Sequence, residues 1–389
     1  MTEATQDTFP EWFCLRDGRK NFQIDPARDQ EFLFGQPSWE QDTDSRLKRA
    51  QLLGTPVRLL WWGQYGIGKT HRLRHTEYLV KQNGYKYRSC YVVATDIQEK
   101  TGFESLHYEL VNSLDRIQMQ KLVASYLLKV KTQTPGVPAT KDICGNSADV
   151  ESALKVFGGD NDQLVLPAWR FLCGLELKGT EVALAGVTKE QLNNSHDFSA
   201  VLGALGHVIK VETGNELLYL IDEAENLLKI TNKTAAARWQ ESLRSMLDIQ
   251  HVGIVMAVGA ERFQDVPPLL TNADFVRRMQ KDNYRHMEAF KLPDVTSFVK
   301  GLLTQWIDPA KRSAVEASEN FATKIADYDP DLFPFTAGGF DKYCQYAVVD
   351  PRTAKPSEIL VKLDGVAADA FFRGRRLIDK KHLTDMGIA

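Results

Sequence analysis

The chain has 389 residues, 43% of them hydrophobic and 25% charged, which excludes a disordered or fibrous protein. At roughly 150 residues per domain it is long enough for two or three domains, each with a real core. Its net charge of -3 excludes a bulk nucleic-acid coat and leaves DNA or RNA to local patches, or to patches summed over an oligomer. Cys14, Cys90, Cys144, Cys173 and Cys344 are odd in number and contain no C-x-x-C pair, so reduced, mostly buried thiols are expected. The start, MTEATQDTFPE, is polar and acidic, unlike a signal peptide. No apolar run approaches the ~18 residues of a membrane span. The expectation is a soluble cytoplasmic protein with no membrane contact.

Residues 1–9 read as a loose tail within an N-terminal extension, 1–40. DTDSRLKRAQLLG, from Asp42 to Gly54, reads as a helix capped by Asp or Ser and closed by glycine. The apolar run VRLLWWG suits a buried strand, THRLRHTEYLVKQNG a helix ending at Asn83-Gly84, SCYVVATDI a second strand and TGFESLHYELVNSLDRI a further helix. Such alternation predicts a parallel sheet covered on both faces. Residues 121–196 break the pattern with two loop-like stretches and helical pieces, and read as a helical insertion. Apolar residues at 198, 201, 202, 205, 208 and 209 mark one face of a helix. ELLYLIDEAENLL and HVGIVMAVGA resume the strands. Beyond Leu292-Pro293-Asp294 only helices are expected, over 295–306, 313–327, 336–347 and 357–373, the last opened by Pro356 and closed by Gly374. The predicted organisation is an α/β domain over 41–292, a small helical domain over 293–374 and a tail over 375–389.

Gly63-Gln64-Tyr65-Gly66-Ile67-Gly68-Lys69-Thr70 fits G-x-x-x-x-G-K-[ST] between a strand and a helix. Backbone N–H groups of such a loop turn inward around phosphates, and the glycines permit the turn and the close approach. The next helix adds its positive end. Lys69 would reach the β- and γ-phosphates of ATP, and the Thr70 hydroxyl would ligate Mg²⁺. A Mg²⁺–nucleotide site also needs a carboxylate at the end of a nearby strand. Leu217 to Ile221 form such a strand, and Asp222 behind it would face the metal. Glu223 would polarise the attacking water, which favours hydrolysis over phosphoryl transfer to a metabolite. The competing readings are a coincidental glycine-rich turn and an acidic pair that only caps a helix.

Loop, D-E strand, the further strand GIVMAVGA and the trailing helices together resemble an AAA+ ATPase, a P-loop NTPase. Within that family they resemble the branch holding origin-recognition-type replication initiators and transposon target-selection ATPases. AWRFLCGLELKGTEVALAGV followed by GNELLYLIDEAENLL, and GQYGIGKTHRL with Tyr65 and His71, are also similar to the ATP-binding proteins of BREX-type phage-defence loci. The resemblance implies a lid over the nucleotide and an arginine finger given to the next subunit of a homo-oligomer. NADFVRRMQKDN offers Arg277 and Arg278 as the finger, Arg278 preferred. The lid's basic residue in cis falls on Arg352 or Lys355, with Arg352 preferred. Ser357 stands where the family more often has arginine. The strand tip Val258-Gly259-Ala260 lacks the family's polar residue, with Glu261 as the substitute on offer.

Between Lys69 and Asp222 lie 153 residues, far more than a compact core of this type needs. An insertion of that size points to partner or DNA contact. FFRGRRLIDKKH clusters Arg373, Arg375, Arg376, Lys380 and Lys381, and Arg72 and Arg74 follow the loop, as DNA candidates against the alternative of solvated faces. Fifteen residues after Gly374 leave no room for the winged-helix domain of replication initiators. The functional expectation is an oligomerising ATPase, slow turnover included, that acts with partner proteins on DNA in phage defence or mobile-element biology. The alternatives are a nucleotide-gated adaptor with little hydrolysis, or a transposon target-selection ATPase.

Overall fold

A computed structural model describes residues 7–35, 37–95, 97–350 and 352–388. The chain divides into two compact units. One comprises Thr43–Tyr65 and Arg72–Met287, the other Met1–Asp42, Gly66–His71 and Glu288–Ala389.

The first unit is built on five parallel strands, β1 (Arg58–Gly63), β2 (Tyr87–Val93), β3 (Glu216–Asp222), β4 (Val252–Gly259) and β5 (Tyr284–His286), in the order β2-β3-β4-β1-β5. Every residue of β3 and β4 is buried. Their unbroken apolar runs are what central parallel strands require, since both faces are covered. Edge strand β2 alternates in burial. The helices in chain order are α1 (Pro37–Leu53), α2 (Lys69–Gln82), α3 (Glu104–Asn112), α4 (Arg116–Lys131), α5 (Ala148–Phe157), α6 (Asp162–Leu172), α7 (Ser195–Thr213), α8 (Lys233–Leu247) and α9 (Ala273–Met279). Helix α7 starts at the Asn194 cap, whose side chain accepts the Asp197 N–H, and stops at Gly214 with φ +74.

The segment read as an insertion does not form a separate body. Met119, Val123 and Tyr126 of α4, Val150, Leu154 and Phe157 of α5, and Val165, Phe171 and Leu172 of α6 share one continuous core with α7 and the strands. Arg58 closes the entry side of the sheet. Its guanidinium donates to the carbonyls of Leu247 and Ile249, and burial lowers its pKa to about 10.

The second unit is helical: α10 (Leu292–Trp306), α11 (Pro309–Glu319), α12 (Ala337–Val348), α13 (Pro356–Phe372) and α14 (Lys380–Asp385). The N-terminal segment completes its core. Phe13, Cys14, Leu15 and Phe22 are buried among Trp306, Ile307, Val366 and Ala370, and Leu15 pairs with Ile307 in an isolated β-bridge. A short helix, Phe9–Trp12, thus stands where a loose tail is expected. Phe9 packs edge-on against Phe13 and Phe371, and burying these rings outweighs the entropy of ordering the segment.

All five cysteines are free and buried, as expected. No helix among the described residues is long and apolar enough to cross a membrane. Parallel sheet, helices on both sides and a trailing helical unit give the α/β architecture of an AAA+-like P-loop fold, the predicted class.

Candidate nucleotide site

The loop and the acidic pair leave the same edge of the sheet. β1 and β3 both run parallel to β4, so their carboxyl ends lie together, the edge at which open α/β sheets bind ligands. Gly63, the first loop residue, is the register partner of Gly259, the last residue of β4. Gly66 and Gly68 take φ +79 and +93, values that side-chain-bearing residues rarely adopt. Helix α2 begins at Lys69, so its first N–H groups face back into the loop. Ile67 and Lys69 are buried, and Thr70 is exposed.

β3 ends in two residues with different surroundings. Asp222 is buried at 3% exposure. Its Oδ2 accepts the Tyr91 hydroxyl at 2.7 Å, and its Oδ1 accepts the Glu223 N–H at 2.9 Å. The Arg74 guanidinium lies 3.3 Å above the Tyr91 ring. Burial first, then the Asp222 charge, raise the Tyr91 phenol, so it remains a donor at neutral pH. Glu223 is exposed because the chain turns there with φ +54 and ψ +34. A left-handed non-glycine costs about 1–2 kcal/mol, and strain of this kind concentrates at functional turns. Asn226 Nδ2 steadies the turn, donating to the Ala94 carbonyl at 2.8 Å and to Glu223 Oε2 at 3.4 Å.

Thr70 and Asp222 offer only oxygen donors, which suits a hard cation. No group of three or more His, Cys, Asp or Glu side chains among the described residues could hold a metal alone. That fits Mg²⁺, which keeps several waters and takes one or two protein ligands plus substrate phosphates.

In the helical unit, the start of α13 meets the loop. The Ser357 N–H donates to the Gly66 carbonyl at 3.3 Å. A Cβ placed on Gly66 would overlap Ser357 Oγ and stand 3.8 Å from Lys355 Cδ, and one on Gly68 would stand 4.0 Å from Pro356 Cγ. Of the two basic candidates, Lys355 is therefore the one at the loop. Arg352 is 86% exposed and ion-paired with Asp350. His71 Nε2 lies 2.6 Å from the Phe32 carbonyl, so that side chain holds the N-terminal segment.

The arginine candidates for the finger differ. Arg278 is 18% exposed and donates through Nε to both Asp248 oxygens, at 2.8 and 2.9 Å. Arg277 is 72% exposed, with Asp274 at 3.8 Å. The residues offered for DNA are largely engaged within the chain. Arg376 pairs with Asp7 and Glu319 and lies over the Trp12 ring, Arg373 pairs with Asp369, and Arg375 lies near Asp379 and Asp385. Arg72 is buried and Arg74 pairs with Glu77. Lys380 and Lys381 are exposed.

Two residues outside the expected set enter the site. Tyr91 carries a sequence signal: it alternates inside a strand that precedes the D-E strand. Glu225 is the second acid of Asp222-Glu223-Ala224-Glu225, and its Oε2 accepts the Gly259 N–H at 2.7 Å.

No family model and no curated protein matches the chain. Among solved structures it is similar to Cdc6p from Pyrobaculum aerophilum, with 12% identity, a TM-score of 0.45, and 91% of this chain and 67% of that one covered. It is also similar to the Aeropyrum pernix ORC2 protein in ADPNP–ADP complexes (12%, 0.43, 89% and 66%) and to the Aeropyrum pernix ORC1 protein in complex with DNA (12%, 0.43, 96% and 68%). The chain spans about two thirds of the length of each. At this distance the similarity is one of general architecture.

Proposed function

We propose that this chain binds Mg²⁺–ATP at the Gly63–Thr70 loop and hydrolyses it to ADP and phosphate. The observation that carries the reading is the emergence, at one edge of one parallel sheet, of a G-x-x-x-x-G-K-T loop and a buried Asp222 followed by an exposed Glu223. The residues have distinct tasks. The loop N–H groups and Lys69 bind and orient the phosphates. Thr70 and Asp222 hold the metal's shell, Asp222 kept ionised and aimed by the Tyr91 and Glu223 donors. Glu223 takes a proton from water, its turn fixed by Asn226. Bound Mg²⁺ neutralises charge on the phosphates. Lys355 and the first N–H groups of α13 add positive potential in cis, in place of Arg352. Arg277, the exposed arginine of its pair, is the better candidate for donation to a neighbouring copy.

The biological output is a nucleotide-controlled homo-oligomer acting with partner proteins on DNA, in phage defence or mobile-element biology. The Tyr65 and His71 flavour of the loop supports that setting, and proteins of similar architecture have been solved with nucleotide and with DNA. A second reading, an adaptor that binds ATP and scarcely turns it over, is favoured by the apolar tip of β4.

Lys69→Ala should abolish ATP binding, while Glu223→Gln should keep binding, lose at least 100-fold in turnover, and accumulate the ATP-bound assembly. Titration, phosphate release and particle mass with and without ATP and duplex DNA read all three. Unchanged turnover and particle mass in Glu223→Gln would sink the hydrolytic reading, and robust DNA-stimulated turnover by the wild type would sink the adaptor.

A further inference from the structure

The tip of β4, Val258-Gly259-Ala260, carries no polar side chain to the edge where the phosphates of ATP belong. The space is filled from elsewhere. A Cβ on Gly259 would stand 2.6 Å from Glu225 Oε1, 2.9 Å from its Cδ and 3.0 Å from Tyr65 Cζ. The Glu225 carboxylate is fastened there by the Gly259 N–H, 2.7 Å from Oε2. The Tyr65 hydroxyl is hydrogen-bonded to the same carboxylate. Gly259 is thus bare because two other side chains occupy the volume its own would need.

Tyr65 is the third residue of the loop motif and 69% exposed, so its ring is restrained at one end and open at the other. Burial, then the charge and hydrogen bond of Glu225, raise its pKa, which keeps the phenol a neutral donor. A phenol has one O–H to give. With no γ-phosphate near, Glu225 receives it. A γ-phosphate oxygen in the loop would be a stronger acceptor, because it is ionised and faces the loop's donors. ADP brings no such oxygen.

We propose that Tyr65 is the group by which this chain distinguishes ATP from ADP, and that Glu225 is its positioning residue, anchored by Gly259. The proposal rests on the nucleotide reading of the loop and names a residue for a task that β4 leaves vacant. The hydrogen bond passes from Glu225 to the γ-phosphate and returns on release of phosphate. A loop residue thereby does what a strand-end side chain would otherwise do.

The test uses the full chain, with ATP, a non-hydrolysable ATP analogue and ADP titrated separately in Mg²⁺. Tyr65→Phe keeps the ring and removes only the hydroxyl. A charge-assisted hydrogen bond is worth roughly 10–100-fold, so the preference for the analogue over ADP should fall by about that factor, with ADP affinity within about twofold. Turnover should fall similarly with KM for ATP changed far less than kcat. Glu225→Gln, which leaves an acceptor for the Gly259 N–H, should give a similar loss, and the double variant should lose no more than the worse single one. A merely structural role would instead weaken ATP and ADP alike. An unchanged analogue-to-ADP ratio in Tyr65→Phe, or additive losses in the double variant, overturns the proposal while leaving the nucleotide reading intact. Failure of the wild type to bind any nucleotide overturns both.

Discussion

His107 permits a prediction whose sign and size both follow from its surroundings. It lies on α3, fully buried, with Nε2 2.9 Å from the Leu172 carbonyl at the end of α6 and its ring 4.8 Å from Phe198 of α7. Its Nδ1 has no hydrogen-bond partner. A single acceptor accommodates the neutral tautomer with hydrogen on Nε2, and a second proton would be stranded. Burial outweighs the helpful carbonyl and lowers the pKa from 6.5 to about 4. The unfolded chain therefore takes up a proton that the folded chain refuses. The contribution to stability is complete above pH 6.5 and is lost as pH falls toward 4. At ~1.4 kcal/mol per pH unit the whole span takes about 3 kcal/mol, and the step from pH 7 to pH 5 about 2 kcal/mol. Urea unfolding followed by tryptophan fluorescence at the two pH values measures it. His107→Gln keeps an N–H for Leu172 and cannot titrate, so wild type should lose about 2 kcal/mol more than the variant between pH 7 and 5. Equal losses in both proteins would refute the assignment.

Three further outcomes are expected. Gly66→Ala meets both a φ of +79 and the Ser357 Oγ, so nucleotide affinity should fall at least tenfold, a loss of 1.4 kcal/mol or more, with the melting temperature nearly unchanged. Arg277→Ala should leave the isolated chain's stability within about 0.5 kcal/mol yet lower turnover by ~10³ at concentrations that support assembly, whereas Arg278→Ala, which breaks a partly exposed pair with Asp248, should cost under about 1 kcal/mol of stability. Equal kinetic effects at low and high protein concentration would remove Arg277 from the interface. Arg58→Lys cannot reach the carbonyls of Leu247 and Ile249 together, and urea unfolding should show a loss of about 2–3 kcal/mol.

The parts of the site legible in sequence are those set by the nearest neighbours along the chain. Gly66 and Gly68 need positive φ, Lys69 needs the first helical turn, and Asp222 needs an apolar strand before it. Each requirement is written within ten residues of the atom that acts. The central strands were legible for the same reason, since two-sided burial turns β3 and β4 into unbroken apolar runs. The N-terminal segment was not. Phe9, Phe13 and Phe22 are spaced for no helix face or strand face, because their partners, Trp306 and Phe371, are almost 300 residues or more away. The basic cluster misleads in the same way. A run of arginines at 373, 375 and 376 looks like an open patch until Asp369, Asp379, Asp7 and Glu319 are seen to meet them, and most of those acids lie outside the run. Arg278 over Arg277 was a choice made by position, whereas what separates the two is whether Asp248 reaches the guanidinium.

Gly259 shows why position along a strand is a poor guide to chemistry at its end. A search for a polar residue at the tip of β4 returns Val258, Gly259 and Ala260, and the task looks abandoned. Yet the glycine is itself informative, because an all-buried strand of eight residues has little reason to end in the residue with most backbone entropy to lose unless its neighbours need the room. Glu225 and Tyr65 take that room, one from the turn after β3 and one from the loop after β1. The volume around a strand end is shared by every segment leaving the same edge, so a functional group can move from one segment to another while its place in space stays fixed. On that argument Gly259→Ala should act as a loss of Glu225 rather than as a distortion of β4: the added methyl group would push the carboxylate off the Gly259 N–H. Its cost in stability should stay near the 1–3 kcal/mol of an overpacked site. The analogue-to-ADP ratio should fall as it does in Glu225→Gln. A Gly259→Ala protein that loses stability and keeps the ratio would show that the glycine serves packing alone.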